Sequence, residues 1–196
     1  MEILLILCAY FIGAIPSGYV LGKLAGVDVR SAGSGNVGAT NVARVVGKRQ
    51  GILTLVIDVA KGVLPVVVGR RMNLAELAIA CAGIAAFLGH LYPVYLKFKG
   101  GKGVATALGV FLALAPLATL VFVGVFAGVI GSSRIVSLGS IAAAAAAPIA
   151  LWLLAYPPVL VGMGVLLAVM IVWRHRGNIQ RLRAGTEPRF GSASSR

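Results

Sequence analysis

The sequence predicts an all-α integral membrane protein, a compact bundle of about seven transmembrane helices with an outside N-terminus and a cytoplasmic C-terminus. Three observations carry that expectation. The 196 residues are 59% hydrophobic and only 12% charged, with a mean hydropathy of +0.98, whereas soluble domains run to about 25% charged. The apolar runs are continuous, not alternating, and Ala142 through Ala147 is unbroken, which favours helices over barrel strands. The basic residues, 18 against five acidic, gather between the runs, where they orient them.

The first apolar segment, Ile3–Leu21, has no basic leader and runs into Pro16-Ser17-Gly18. It is expected to be a retained span, not a cleaved signal. Ile52–Val68 and Leu74–Leu88 follow, then Val104–Ile130, Ile135–Leu154 and Val159–Trp173. Several fall short of the roughly 20 residues that cross a bilayer squarely, so flanking residues must complete them. Abundant glycine and alanine suit close helix packing. Cys8 and Cys81 lie inside apolar segments and read as small buried hydrophobes, not a disulfide framework.

Val104–Ile130 fits one long tilted helix or two short ones turning at Ala115-Pro116. Charge decides. Lys23, Arg30, Arg44, Lys48 and Arg49 follow the first segment; Lys97, Lys99 and Lys102 follow the third. Arg174, Arg176, Arg181, Arg183, Arg189 and Arg196 follow the last. Only two helices, of about 14 residues each, put all three groups on the cytoplasmic side. Arg70 and Arg71 then lie outside, softened by Glu76. A single domain over 1–190 is expected, with 191–196 as a flexible tail.

The net charge of +13 points to anionic lipid or anionic substrate. Such long apolar runs exclude a soluble nucleic-acid binder. The polar runs between the spans carry the chemistry. Ser31-Ala32-Gly33-Ser34-Gly35-Asn36-Val37-Gly38-Ala39-Thr40-Asn41, followed by Arg44, offers hydroxyls, amides, a guanidinium and backbone N–H groups that can cradle phosphate. Lys97-Phe98-Lys99-Gly100-Gly101-Lys102-Gly103 repeats the idea. Neither run matches a nucleotide phosphate loop. His90, in Gly89-His90-Leu91-Tyr92-Pro93, reads as a packing residue, a strut or an acid–base group, with strut preferred. His175 sits in the wetter, basic Arg174-His175-Arg176-Gly177-Asn178. It could hold phosphate or accept a proton, and Asn178 could share its face if helical. Asp58 and Lys61 stand at membrane depth with i,i+3 spacing, as expected of a bracing pair. Glu187, in Gly185-Thr186-Glu187-Pro188, is expected to tie the tail to a basic loop or to fix a lysine. No metal-ligand spacing and no Ser–His–Asp arrangement can be argued. A transporter of a small phosphorylated anion is the alternative reading; it leaves the gathering of glycine-rich runs on one side unexplained.

With these motifs in hand, the chain resembles the bacterial acyl-phosphate:glycerol-3-phosphate acyltransferases over nearly its whole length. The resemblance rests on Ser31 to Arg44, on Gly89-His90 through Gly100-Gly101-Lys102-Gly103-Val104-Ala105-Thr106, and on Arg174-His175-Arg176-Gly177-Asn178-Ile179 with Glu187 behind it. It implies transfer from a long-chain acyl phosphate to the first hydroxyl of sn-glycerol 3-phosphate. The implied enzyme is a monomer in the bacterial cell membrane, needing no cofactor or metal. Glycerolipid acyltransferases of the His-and-Asp class are disfavoured, because Tyr95 and Gln180 stand five positions after the two histidines. The implied catalytic set is Ser34, Asn36, Lys102 and His175. Gly35, Thr40, Asn41, Arg44, His90, Gly101 and Asn178 would bind substrate, with Asp58, Lys61 and Glu187 in support. Arg44, Lys102, His175 and Asn178 would hold chiefly the acceptor phosphate. Ser34, Asn36 and nearby N–H groups would hold the donor phosphate or the carbonyl oxygen. The base stays open among the departing phosphate, Ser34 and His175.

Overall fold

Pro16 breaks the first span. A computed structural model describes residues 1–191, and it divides that segment into α1 (Glu2–Ala14) and α2 (Ser17–Leu24). Proline lacks the N–H that would continue the ladder, so the helix stops before it. A short α3 (Ala39–Val45), α4 (Lys48–Arg71) and α5 (Glu76–Leu91) follow. Then come a 3-10 turn at Val94–Leu96 and α6 (Val104–Leu114). Beyond Ala115 lie α7 (Pro116–Ser133), α8 (Val136–Leu153), α9 (Pro158–Arg174) and α10 (Arg176–Arg183). Every regular element among the described residues is helical.

Among the described residues, five apolar stretches are long enough to cross a membrane alone. The bent pair α9 and α10, turned by 58°, makes six. The seventh segment is α6, apolar but only 11 residues long. Residues 104–130 are therefore two helices, as the charge pattern requires, but the division is unequal. Ala115 leaves the helix and Pro116 starts the next at its first position, where a missing N–H costs nothing. A helix this short must have its end carbonyls satisfied before bilayer is reached. Arg70 does this, donating from Nη1 to Ala113 O at 2.5 Å and from Nη2 to Leu114 O at 3.2 Å. Arg70 thus caps the α6 carbonyls, and a guanidinium there also complements the helix dipole.

The chain forms two compact units, the first Met1–Leu114, the second from Ala115 onward. In the first, α1 packs on α5 and α4 on α6, both through glycine. A Cβ on Gly13 would strike Ala86 O, and one on Gly89 would strike Tyr10 O. Gly62 and Gly109 meet Thr106 O and Val59 O in the same way. Backbones this close supply the dispersion contact that holds helices together in lipid. In the second unit α8 lies between α7 and α9. Outward faces carry Leu4, Leu7, Ile52, Val56, Leu120, Trp152 and Val169, as lipid contact allows. Cys8 departs from expectation: it is exposed on α1, while Cys81 is half-buried. In a membrane protein an apolar residue need not face the interior, because the surroundings are apolar too.

Candidate active site

In the first unit, one buried side chain shapes the glycine-rich loop. Asn41, 2% exposed, accepts the Ser34 N–H at Oδ1 (2.8 Å). Its Nδ2 lies within hydrogen-bond distance of three carbonyls, Val29 O at 3.0 Å, Ala32 O at 3.1 Å and Asn36 O at 2.9 Å. Gly33 turns with φ +61°, and a Cβ there would collide with the Asn41 amide. The bend therefore needs glycine both for its backbone conformation and for the space. Asn36 accepts the Gly38 N–H at 2.8 Å, an Asx turn that leads into α3. Because Asn36 Oδ1 is the acceptor, Nδ2 is its donor end. The N–H groups of Ser34, Gly35 and Gly38 are all engaged inside the loop. The loop thus offers side chains more than these backbone donors: Ser34, Thr40 and Arg44 are exposed and Asn36 half-buried.

Asp28 anchors the approach to this loop. It accepts from Arg30 Nε (3.0 Å) and Nη2 (2.7 Å) and pairs with Lys23 Nζ at 3.3 Å. The Arg30 hydrogen bonds hold the Asp28 carboxyl well below the usual carboxylate range, and the same pair raises Arg30. Arg30 also lies 4.4 Å from the Tyr19 ring centroid, a cation–π contact.

The second basic run folds back on the end of α5. Gly100 N–H donates to Leu91 O and Gly101 N–H to His90 O, each at 3.1 Å. The His90 ring fills the place where a Gly101 Cβ would be. Gly101 is buried and Lys102 half-buried just ahead of α6. Behind them, Asp58 and Lys61 form the expected pair at 2.6 Å, their side chains 2% and 3% exposed.

The second unit holds its own cluster. His175 is 2% and Asn178 7% exposed. His175 Nδ1 lies 2.8 Å from Ile171 O. A carbonyl only accepts, so Nδ1 carries the proton and Nε2 is the basic position of the neutral ring. Glu187 gathers three donors from two elements, α8 and α10. Ser137 Oγ and Asn178 Nδ2 donate to Oε1, each at 2.6 Å, and Arg181 Nε donates to Oε2 at 2.7 Å. Burial opposes the charged carboxylate, but these donors outweigh it, so Glu187 is held below its ordinary value.

The motif residues fall into three groups. Ser34, Gly35, Asn36, Thr40, Asn41 and Arg44 share one loop and helix. His90, Gly101 and Lys102 share the turn backed by Asp58 and Lys61. His175, Asn178 and Glu187 belong to the second unit. Ser17, Ser137 and Arg181 were missed by sequence reasoning. Ser17 Oγ donates to Asp58 at 2.6 Å; its only signal was its place after a helix-breaking proline.

The sequence model of the family described as glycerol-3-phosphate acyltransferase matches residues 3–185. The glycerol-3-phosphate acyltransferase of Geobacter metallireducens is 58% identical over 190 residues, covering 97% of this chain and 98% of its own. That of Geobacter sulfurreducens is 51% identical over 189 residues, 96% and 97% of the two chains. Two crystal structures of PlsY (YgiH), an integral membrane glycerol 3-phosphate acyltransferase, are each 43% identical to this chain. The glycerol 3-phosphate form has a TM-score of 0.93, covering 97% of this chain and 96% of that one. The lysophosphatidic acid form has a TM-score of 0.90, covering 97% and 95%. Matched nearly end to end by family and fold alike, this integral membrane chain belongs to the glycerol-3-phosphate acyltransferase family.

Proposed function

We propose that the protein moves a long-chain acyl group from acyl phosphate to the 1-hydroxyl of sn-glycerol 3-phosphate. The acceptor oxygen bonds to the acyl carbon, the bond from that carbon to the phosphate oxygen breaks, and lysophosphatidic acid and inorganic phosphate leave. The observation that carries the reading is the Asn41-built loop, which presents the Ser34 hydroxyl and Arg44 on its exposed side. An acyl phosphate is a mixed anhydride, already activated, so direct attack needs no covalent acyl-enzyme. What it needs is two anions held together, which calls for cationic clamping and orientation.

Arg44 and Lys102 neutralise the acceptor phosphate, and His175 and Asn178 carry the same assignment. Ser34 and the Asn36 Nδ2 donor stabilise the donor phosphate or the carbonyl oxygen as charge develops, with Gly35 and Thr40 alongside. The departing phosphate takes the hydroxyl proton; Ser34 and His175, through its Nε2, are the rivals. The protein works as a monomeric single domain without cofactor or metal. The acyl tail lies between helices, open to lipid. The site faces the cytoplasm from the bacterial cell membrane.

Purified protein given glycerol 3-phosphate should form lysophosphatidic acid from palmitoyl phosphate and none from palmitoyl-CoA. Product from palmitoyl-CoA alone overturns the donor assignment. No product from either, with glycerol 3-phosphate uptake into sealed vesicles, favours a transporter instead. The orientation rests on the basic residues. Single cysteines at Arg71 and Arg183, in a chain lacking Cys8 and Cys81, should label from opposite sides of the membrane. Labelling from one side contradicts seven spans.

A further inference from the structure

The four polar groups buried behind Lys102 do more than close a gap between helices. At the break at Ile15-Pro16 the Ile15 carbonyl accepts the Ser17 N–H at 3.0 Å and keeps a second lone pair free of the helix ladder. Lys61 reaches it, and Nζ also donates to Ser17 Oγ at 3.1 Å and to Asp58 Oδ1 at 2.6 Å. The ammonium's three protons thus meet three acceptors. Ser17 Oγ passes its own proton to the same Asp58 oxygen, and His90 Nδ1 stands 3.7 Å from it. Ser17, Asp58, Lys61 and His90 are all buried. Buried charge in a bilayer is expensive, and apolar side chains of equal volume could have filled the space. The cluster's outer edge is informative. The His90 ring abuts Gly101 and its carbonyl holds the Gly101 N–H, directly before Lys102. Gly18, following Ser17, packs so closely on the Val37 carbonyl that a Cβ would not fit. Val37 belongs to the Ser34 loop, and it lines the same small cavity as Ser17, Asp58, Lys61 and His90.

We propose that Ser17, Asp58, Lys61 and His90 are positioning residues that fix the placement of Lys102, acting through the contact of His90 with the Gly101 backbone. The proposal rests on the assignment of Lys102 to the acceptor phosphate. Asp58 orients His90 and is itself held by Lys61 and Ser17. His90 sets how far the Gly100-Gly101 turn approaches α5. Lys102 inherits that position. None of the four needs to touch substrate.

A cycle of variants tests this, with activity counted per folded protein and thermal unfolding followed in parallel. Asp58→Asn keeps the shape of the carboxylate and removes its charge. It should lower kcat/KM for glycerol 3-phosphate by about 10²-fold, the scale of a misplacement near 1 Å. Lys102→Ala should also lower it. Combined with Lys102→Ala, Asp58→Asn should cost less than about twofold more, because the group it positions is gone. His90→Asn, which leaves the Asp58–Lys61 ion pair in place, should show the same coupling and serves if Asp58→Asn does not fold. An equal loss in both backgrounds, for whichever variant folds, overturns the proposal and leaves the assignment of Lys102 standing. Unchanged kinetics in Lys102→Ala alone overturn that assignment instead.

Discussion

Asn41 and Glu187 do the same job in different ways. Each is a polar side chain sunk among its partners, tying down a loop next to residues assigned to substrate. Asn41 is neutral and works on backbone: one N–H and three carbonyls of residues 29–36 meet its amide. Glu187 is charged and works on side chains brought from α8 and α10, Ser137, Asn178 and Arg181. A neutral amide has both donors and acceptor, so it can template a loop whose backbone needs both, at any pH. A carboxylate only accepts, so it can gather donors from distant elements but holds them only while ionised. The first loop is therefore shaped locally and permanently; the second is a tertiary tie with a titratable knot.

The largest effect should come from Asn41→Ala. It strands buried backbone groups at roughly 1–3 kcal/mol each and frees the loop that presents Ser34. Activity should fall by about 10²-fold or more, with a lower Tm. Asn41→Asp should fare no better, since it keeps Oδ1 but sets a carboxylate against three carbonyls. Near-normal turnover in Asn41→Asp would break the comparison, because a carboxylate would then suffice in both places.

Glu187→Gln should be milder. The amide keeps an acceptor for one donor but loses the charge, costing about 1–3 kcal/mol, read as a Tm shift and a raised KM for glycerol 3-phosphate as Asn178 loosens. The pH dependence sharpens the contrast. Glu187 is held below its ordinary value of 4.5 when folded. Its ionised form therefore stabilises the protein fully above that value and is lost as pH falls through the lower folded value. The Tm difference between the native chain and Glu187→Gln should be constant from pH 7 to 5 and shrink below about 4.5. The difference for Asn41→Ala should not shrink there. Arg181→Ala should have the smallest effect, about 0.2–1 kcal/mol, because its side chain is 42% exposed and its ion pair is screened.

This contrast also marks what the sequence could disclose. The Asp58–Lys61 pair was legible because two charges one helical turn apart in an apolar run have few alternatives. The division at Ala115-Pro116 was legible from charge parity, while the capping of the short α6 was not, since Arg70 reaches carbonyls 43 and 44 positions away. The resemblance placed Asn41 among the substrate-binding residues. That its amide turns inward follows from loop packing, which no spacing reports. Glu187 was expected to tie the tail to a basic loop or to fix a lysine; its cationic partner is instead Arg181 on α10. The Glu187 bond to Ser137, 50 positions away, is tertiary and left no local trace. His90 read as a strut from its aromatic and proline neighbours; the surface it supports, Gly101, emerges only when the chain turns back on α5.

The most direct measurement mixes the protein rapidly with palmitoyl phosphate, first without and then with glycerol 3-phosphate, and follows phosphate release alongside lysophosphatidic acid. Direct attack predicts no phosphate burst without the acceptor. On adding it, phosphate and lysophosphatidic acid should appear one for one. A burst of one phosphate per protein before any glycerol 3-phosphate is added would reveal a covalent acyl-enzyme and contradict direct transfer. Failure to release phosphate even with the acceptor present would contradict the acyl-phosphate reaction itself.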